Sequence, residues 1–482
     1  MKLRRFPFAP LLVCALALSF LLSACGGDSQ QTAFQATLPV TLSSAPVYTA
    51  TPTLSPSFTP TNTPIQTATP TSTETPTFTE TPAATATATQ TPTLAGTLPL
   101  QTLTPASNLS APPAIAAQPA EVAPNSGWSC DDFPCENDIA GFLQKIHVPA
   151  GFTVEYVGQF PGQPMQITYG PDGRLYATVL EKGTRNGSIY AMNADGSSQL
   201  YSGGYITPIG LAFQPGTDAL YVSARLTPMQ RGAVFRVPSG GGAPQDVIID
   251  LPCCYSLVDN QPDGMTFGAD GYLYLGVGAL SDHAENRDPK VRSYVEIQPN
   301  EASVLRIQPH TGAYEVYASG LRNPYDVAVG VDGQLYATDN GVIAGPGDRL
   351  VALTQGAHYG WPYWRTRGCD ECPLSRADLT YAPDLLAFPN FTLPRGLVAY
   401  SGTQFPANYF GSLFVTLWNG AANAQRIVRI DPHDPNLGSA DYVPEAFMTG
   451  LIRPVDVVVA PDGSLVVADF IYGHVWRVSY TG

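Results

Sequence analysis

The sequence predicts an all-β fold: a six-bladed β-propeller preceded by a signal peptide and a disordered Thr/Pro-rich stalk. One motif, a turn followed by a strand of alternating apolar and polar residues, recurs six times between residues 169 and 470. Each copy is followed by a second strand of similar character. Helical periodicity is absent except in "DIAGFLQKI" at 138–146.

The chain opens with "MKLRRFPFAPLLVCALALSFLLSAC". Lys2, Arg4 and Arg5 precede an apolar run that ends in small residues, the pattern of a secretory signal peptide over 1–24. Leu22-Ser23-Ala24-Cys25 resembles the bacterial lipobox, in which the cysteine becomes the lipidated first residue of the mature chain. The reading is an extracytoplasmic lipoprotein, at the cell surface or in the periplasm. Residues 25–125 are dominated by Thr, Pro, Ala and Ser, as in "TATPTSTETPTFTETPAATATATQTPT". So little apolar surface cannot offset the entropy of ordering, and the segment reads as a disordered linker. Extended at roughly 3 Å per residue, it would hold a domain on the order of 200–300 Å from the membrane.

Residues 126–482 form the folded domain. The formal net charge of the chain is −15, and its three leader cations lie outside the domain, so the domain is acidic and a poor binder of nucleic acid or anionic lipid. Its cysteines are Cys130, Cys135, Cys253, Cys254, Cys369 and Cys372. In an exported protein they read as disulfides, with Cys130–Cys135 and Cys369–Cys372 as local staples. Cys369-Asp-Glu-Cys372 is alternatively half a zinc site, without a second CxxC to complete it. Pro373 follows the pair where a haem attachment motif has His, so electrons would leave to a separate carrier.

The repeated units begin "YGPDGRLYATVL" at 169, "FQPGTDALYVSA" at 213, "FGADGYLYLGVG" at 267, "VGVDGQLYATDN" at 329, "FPANYFGSLFVTLW" at 405 and "VAPDGSLVVADF" at 459. Asp-Gly turns between β-rich runs are hairpin signals. A strand before each turn, such as "QPMQITY" or "RPVDVVV", brings each unit to three or more strands. One hairpin pattern throughout favours a closed propeller over a pair of β-sandwiches. "VPAGFTVEYV" at 148–157 is placed to pair with the last unit and close the ring.

Propellers bind ligands around the central channel. Arg322 and Asn323 lie just before an inner strand, and Asp339-Asn340-Gly341 at the far end of the next. Arg395 and Arg453 stand at equivalent entrances in "LPRG" and "LIRP". The arginines either converge on a ligand or brace neighbouring blades through backbone carbonyls.

"GLRNPYDVAV", "GQLYATDNG", "GDRLVALTQGAHYGWPYW", "FPANYFGSLFV" and "RPVDVVVAPDGSLVVAD" resemble the glucose/sorbosone dehydrogenase family, with the fungal pyranose dehydrogenases as relatives, over nearly all of 145–482. The resemblance implies pyrroloquinoline quinone and Ca²⁺ as cofactors and a small-molecule sugar as substrate. It matches Arg322 and Asn323 to the family's cofactor-contacting pair, with Asn340, Arg395 and Arg453 completing the cradle. Arginine suits a three-carboxylate quinone because its planar fork meets a carboxylate with two hydrogen bonds. Gly341 and Val342 match the place where backbone carbonyls hold calcium. The family's proton-accepting histidine falls at Asn260, and an asparagine is no general base. Asp259 and His283 are the alternatives for that role. His358 and Trp361 read as structural. The implied activity is hydride transfer from a sugar hydroxyl to the quinone, with electrons passing on to an external acceptor. Two alternatives are a degenerate propeller that binds carbohydrate or protein at the cell surface, and a metal-dependent propeller recruiting Asp326, Asp339 and Asp456.

Overall fold

The computed structural model describes residues 133–228, 230–255, 260–284, 297–342, 347–363, 378–419, 424–439 and 441–482. The leader, Cys25, the stalk, Cys130, Asp259, Cys369 and Cys372 lie outside the described residues. Among the described residues, no helix is long and apolar enough to cross a membrane.

Antiparallel strands follow one another in chain order. Blade 1 is Gln163–Tyr169, Leu175–Leu180, Asn186–Met192 and Ser198–Ile206, and blade 2 is Leu211–Phe213, Leu220–Arg225, Arg231–Val237 and Gln245–Pro252. Blade 3 is Pro262–Phe267, Leu273–Val277, Ser303–Ile307 and Tyr314–Ser319, and blade 4 is Pro324–Val329, Leu335–Asp339, Arg349–Leu353 and Leu386–Ala387. Blade 5 is Pro394–Ala399, Leu413–Leu417, Arg426–Ile430 and Glu445–Met448. Blade 6 takes Pro454–Val459, Leu465–Asp469 and His474–Tyr480 from the end of the chain and Phe152–Gln159 from before blade 1. Blades 1 and 2 are joined into one eight-stranded sheet where Ile206 stands opposite Arg225, and the other blades are four-stranded.

The closing strand runs from Phe152 opposite Tyr480 to Gln159 opposite His474, as the sequence leads one to expect. The Phe152 ring fixes it by packing edge-on against Phe405, Phe447 and Tyr480 at 4.8, 5.2 and 5.0 Å. The "DIAGFLQKI" exception is a short helix, Ile139–Lys145, capped by the Asp138 carboxylate.

The Asp-Gly turns fold alike in four blades for local reasons. Asp172, Asp270, Asp332 and Asp462 each accept the N–H two residues on, and the glycine between takes the left-handed conformation that only glycine adopts cheaply (φ +77° at Gly173).

The inner strands share a second pattern, Pro-x-(Gln/Gly/Asp)-apolar, with Gln166, Gly210, Gly264, Asp326, Gly396 and Asp456 at the third position of blades 1 to 6. An inner strand is an edge strand, and its unpaired N–H groups are buried at the channel, where they need acceptors. Asp326 accepts the N–H of Leu397 in blade 5 (2.8 Å) as well as that of Val327 (2.8 Å), and Gln166 Nε2 donates to it across the ring (2.6 Å). Asp456 accepts the N–H of Ile167 in blade 1 (2.6 Å), and Gln166 Oε1 that of Leu211 in blade 2 (2.6 Å). The glycines make room: a Cβ on Gly264 would lie 2.5 Å from Asp326 Oδ1, and one on Gly396 2.2 Å from Asp456 Oδ1.

These carboxylates do not assemble the metal site considered from sequence. Asp326 and Asp456 are occupied with backbone N–H groups, while Asp339 is paired with Arg349 at 2.8 Å. Among the described residues, no group of three or more His, Cys, Asp or Glu side chains could hold a metal ion.

Burial pushes the Asp326 carboxyl up to about 7; burial and then the neighbouring Asp326 charge push Asp456 well above the usual range. A carboxyl whose folded pKa exceeds its unfolded value stabilises the fold most below the unfolded pKa, and that contribution is lost as pH rises through the folded one. Stability from Asp326 is therefore full below its ordinary value of 3.8 and lost on approach to about 7. Chemical denaturation of Asp326→Asn should show a shallower decline across this window, by up to about 1.4 kcal/mol per pH unit for one proton. An unchanged slope would assign the decline to other groups. Gly396→Ala should cost roughly 1–3 kcal/mol by overpacking the axis, which an unaltered melting temperature would contradict.

Candidate functional site

The inner strands begin, and their partner strands end, at one mouth of the channel. Arg322 and Asn323 are set there by a carboxylate of their own blade: their N–H groups donate to Asp339 at 3.2 and 2.7 Å. Asp339 is held in turn by Arg349, which also reaches Asp384 (2.9 Å) and the carbonyls of Gly320 and Tyr359. Blade 6 repeats the device, with Asp469 accepting the N–H groups of Ile452 and Arg453 at 2.8 and 3.2 Å.

Asn260 joins this corner. Its N–H donates to Asn323 Oδ1 (3.0 Å), and its Nδ2 reaches the Arg322 carbonyl at 3.5 Å. Gly278 permits the approach, because a Cβ there would lie 2.4 Å from Asn260 Cα. Asn340 follows, its N–H donating to the Asn323 carbonyl at 3.0 Å. Four predicted residues thus meet, and each keeps a buried polar atom with no hydrogen-bond partner: Arg322 Nε, Asn323 Nδ2, Asn260 Oδ1 and Asn340 Oδ1. Such atoms cost about 1–3 kcal/mol each unless something satisfies them, so they mark a place built for a polar ligand.

Sequence reasoning passed over Asp282. Its carboxylate bridges two predicted residues, accepting from Arg322 at 2.8 Å on Oδ1 and contacting His283 Nδ1 at 3.2 Å on Oδ2. Its carbonyl accepts the Trp361 indole N–H at 2.8 Å, and the Trp361 backbone N–H donates to Gly320. Trp361 is buried packing, as expected, but it also fixes the segment that carries His283. His358 is structural: its Nδ1 accepts the Gly360 N–H, and its ring packs against Tyr363 and Tyr381.

Arg395 and Arg453 do converge, around Trp418, another residue the sequence did not single out. The Arg395 guanidinium lies between the rings of Tyr325 (4.4 Å) and Trp418 (4.3 Å), and Arg453 lies 4.9 Å over Trp418. Arg453 also donates to the Trp418 carbonyl at 3.2 Å, so one arginine does brace a neighbouring blade. Burial, aided by the like charge of Arg395 and opposed by Asp469, lowers the Arg453 pKa. Trp418 Nε1 is a further buried donor with no partner.

Gly341 donates its N–H to Asp348 Oδ1 at 2.9 Å, and the other oxygen of Asp348 accepts from Leu393 at 3.0 Å. Burial raises the Asp348 pKa. Val342 packs with Ala279, Ala284, Ala302 and Trp361. A cation beside Gly341 and Val342 would rest on carbonyl oxygens. Cys253 and Cys254 are bonded to each other, a pairing not foreseen, and Cys135 is also disulfide-bonded. The pair precedes Tyr255, whose ring lies 5.7 Å from the Arg322 guanidinium.

Comparison with known proteins bears on this mouth. Residues 259–472 match the model of the Glucose / Sorbosone dehydrogenase family. An uncharacterized protein of Borreliella burgdorferi is 27% identical over 213 residues, 39% of this chain and 54% of that protein, so the chain spans about half the length of this relative. The holo form of the pyranose dehydrogenase PQQ domain from Coprinopsis cinerea superposes with a TM-score of 0.53 at 16% identity, covering 69% of this chain and 97% of that one. The soluble aldose sugar dehydrogenase of Escherichia coli, in its apo form, gives 0.51 at 16% identity over 68% and 99%. The calcium structure of Trichoderma reesei carbohydrate-active enzyme family AA12 gives 0.53 at 12% identity over 70% and 97%. At these identities the structural likeness speaks for the fold. The six blades close as a β-propeller, and the segment from Asp259 to Tyr472 is similar to the glucose/sorbosone dehydrogenase family.

Proposed function

We propose that this propeller is a pyrroloquinoline quinone-dependent sugar dehydrogenase, exported and tethered to a membrane through Cys25. The observation that carries the reading is the set of buried, unpartnered polar atoms at the mouth of a family-matched domain: Arg322 Nε, Asn323 Nδ2, Asn260 Oδ1, Asn340 Oδ1 and Trp418 Nε1. Three of the five are donors, and two further cations, Arg395 and Arg453, stand over Trp418. That donor-rich lining fits a flat quinone bearing three carboxylates.

The quinone, when bound with its calcium ion, supplies the two-electron oxidant for a sugar hydroxyl. Arg322 would meet a carboxylate, Arg395 and Arg453 would balance the remaining charge, and Asn323 and Trp418 would donate at the edges. Stacking on Tyr325 and Trp418 preorganises Arg395, so less side-chain freedom is lost on binding. Gly341 and Val342 would offer calcium their carbonyls, as a hard cation prefers. The stalk would carry the domain away from the membrane, where sugars and a separate electron acceptor reach it.

A second reading, a propeller that binds carbohydrate or protein without turnover, is favoured by Asn260, whose side-chain amide cannot take a proton and reaches the Arg322 carbonyl, while its backbone N–H donates to Asn323 Oδ1. Titration of the purified domain with quinone and Ca²⁺, followed by absorbance and then by addition of aldoses, separates the two. Saturable, calcium-dependent binding and reduction by sugar are expected; binding of neither would leave the surface-propeller reading.

Arg322→Ala should weaken quinone binding roughly 10- to 150-fold, the equivalent of about 1.5–3 kcal/mol for charge-assisted hydrogen bonds, in a protein that still melts cooperatively. Unchanged affinity would make Arg322 a packing residue. Cys25→Ser should move the protein from the membrane fraction to the soluble one, and equal membrane association of the variant would refute lipidation at that residue.

A further inference from the structure

We infer that His283, held by Asp282, is the base that takes the hydroxyl proton of the sugar, a role the residue at 260 cannot fill; this rests on the dehydrogenase reading. One carboxylate ties the imidazole to the arginine at the centre of the proposed quinone cradle: Asp282 Oδ1 lies 2.8 Å from Arg322 and Oδ2 lies 3.2 Å from His283 Nδ1. The base and the cofactor anchor are therefore set relative to each other by a single rigid group.

The segment bearing them is itself pinned. The Gly278 N–H donates to the Gln261 carbonyl, the Ala279 N–H to the Arg322 carbonyl, and the Trp361 indole N–H to the Asp282 carbonyl. Ala279 and Ala284, on either side of the pair, are buried. Side-chain exposure then discriminates: Arg322 and Asp282 are 8% and 10% exposed, whereas His283 is 25% exposed, so of the three it is the one a solute can approach.

The other histidines are placed elsewhere. His358 accepts the Gly360 N–H, His474 is bonded to the Glu136 carbonyl beside Phe142, and His147 bridges to Thr449. His433 and His310 lie in turns between outer strands. The His283 ring meets a carboxylate of the mouth.

In neutral imidazole, a donating Nδ1–H leaves Nε2 as the proton-accepting nitrogen. The sugar O–H proton would pass to Nε2 as the carbon-bound hydrogen left with its electron pair, for which a bound quinone would be the acceptor. The sugar carbon would thereby be oxidised to a carbonyl, its two electrons going to a bound quinone, and the imidazolium would later return its proton to water. Asp282 is a positioning residue in this scheme.

The test uses the calcium- and quinone-loaded protein, with the loaded fraction of each variant fixed first by absorbance titration. His283→Gln should bind quinone within a few-fold of native while kcat falls roughly 10²- to 10⁴-fold, the usual contribution of a positioned base, with KM little changed. Added imidazole should restore part of the rate to His283→Ala, and Asp282→Asn should lower kcat while leaving KM within a few-fold of native. A His283→Gln protein reduced by sugar at the native rate would overturn the assignment while leaving the dehydrogenase reading intact. Loaded native protein that no aldose reduces would overturn it in favour of binding without turnover. Native protein that takes up no quinone would remove the dehydrogenase reading and this assignment together.

Discussion

Six inner strands meeting around one channel leave buried backbone N–H groups with no neighbouring strand, and two carboxylates and one amide satisfy them. Asp326 ties blade 4 to blade 5, Asp456 ties blade 6 to blade 1, and Gln166 ties blade 1 both to blade 2 and across to Asp326. Burying carboxylates is costly in itself, and their raised pKa values register that cost. The alternative is a set of unsatisfied N–H groups in the same place. The glycines at 264 and 396 then follow as a steric consequence, each yielding space to the aspartate of the next blade.

The mouth of the channel uses the same economy of parts. A partner strand ends in an aspartate, Asp339 or Asp469, and that carboxylate caps the N–H groups just before the inner strand of its own blade. Arg322 and Arg453 are thereby placed by the frame that holds the blades. In blade 4 the charge of Asp339 is balanced by Arg349; in blade 6 Asp469 is buried with its pKa raised by desolvation. The blade-4 corner is thus the more fully ion-paired of the two, and it is the one whose backbone also meets Asn260, Asn340 and Ala279.

Two kinds of cation coexist at this mouth. Arg322 is matched by the Asp282 carboxylate, while Arg395 and Arg453 also lie against aromatic faces. The vicinal bond between Cys253 and Cys254 sits immediately before Tyr255, beside the Arg322 corner.

The blades, their turns and the ring closure were legible in the sequence because their causes are local: strand alternation, an Asp that caps two residues ahead, a glycine at positive φ. The positions of Arg322, Asn323, Arg395 and Arg453 at the starts of inner strands, and of Asn340 at the end of a partner strand, were legible as a group because the repeat dictates where those strands lie. Asp282, Trp418 and the axial carboxylates were not, since their roles arise from contacts between distant residues. Leu397 and Asp326 are 71 positions apart, Trp361 and Asp282 are 79, and Ile167 and Asp456 are 289. An aspartate in a strand reads the same whether it faces solvent or another blade, and the sequence offered His283 only as an alternative beside Asp259. Sequence alone determined that there are six blades and where their entrances lie; only the closed ring decided which carboxylate meets which N–H, and which histidine stands beside the arginine, because those contacts exist only once the blades are brought around one axis.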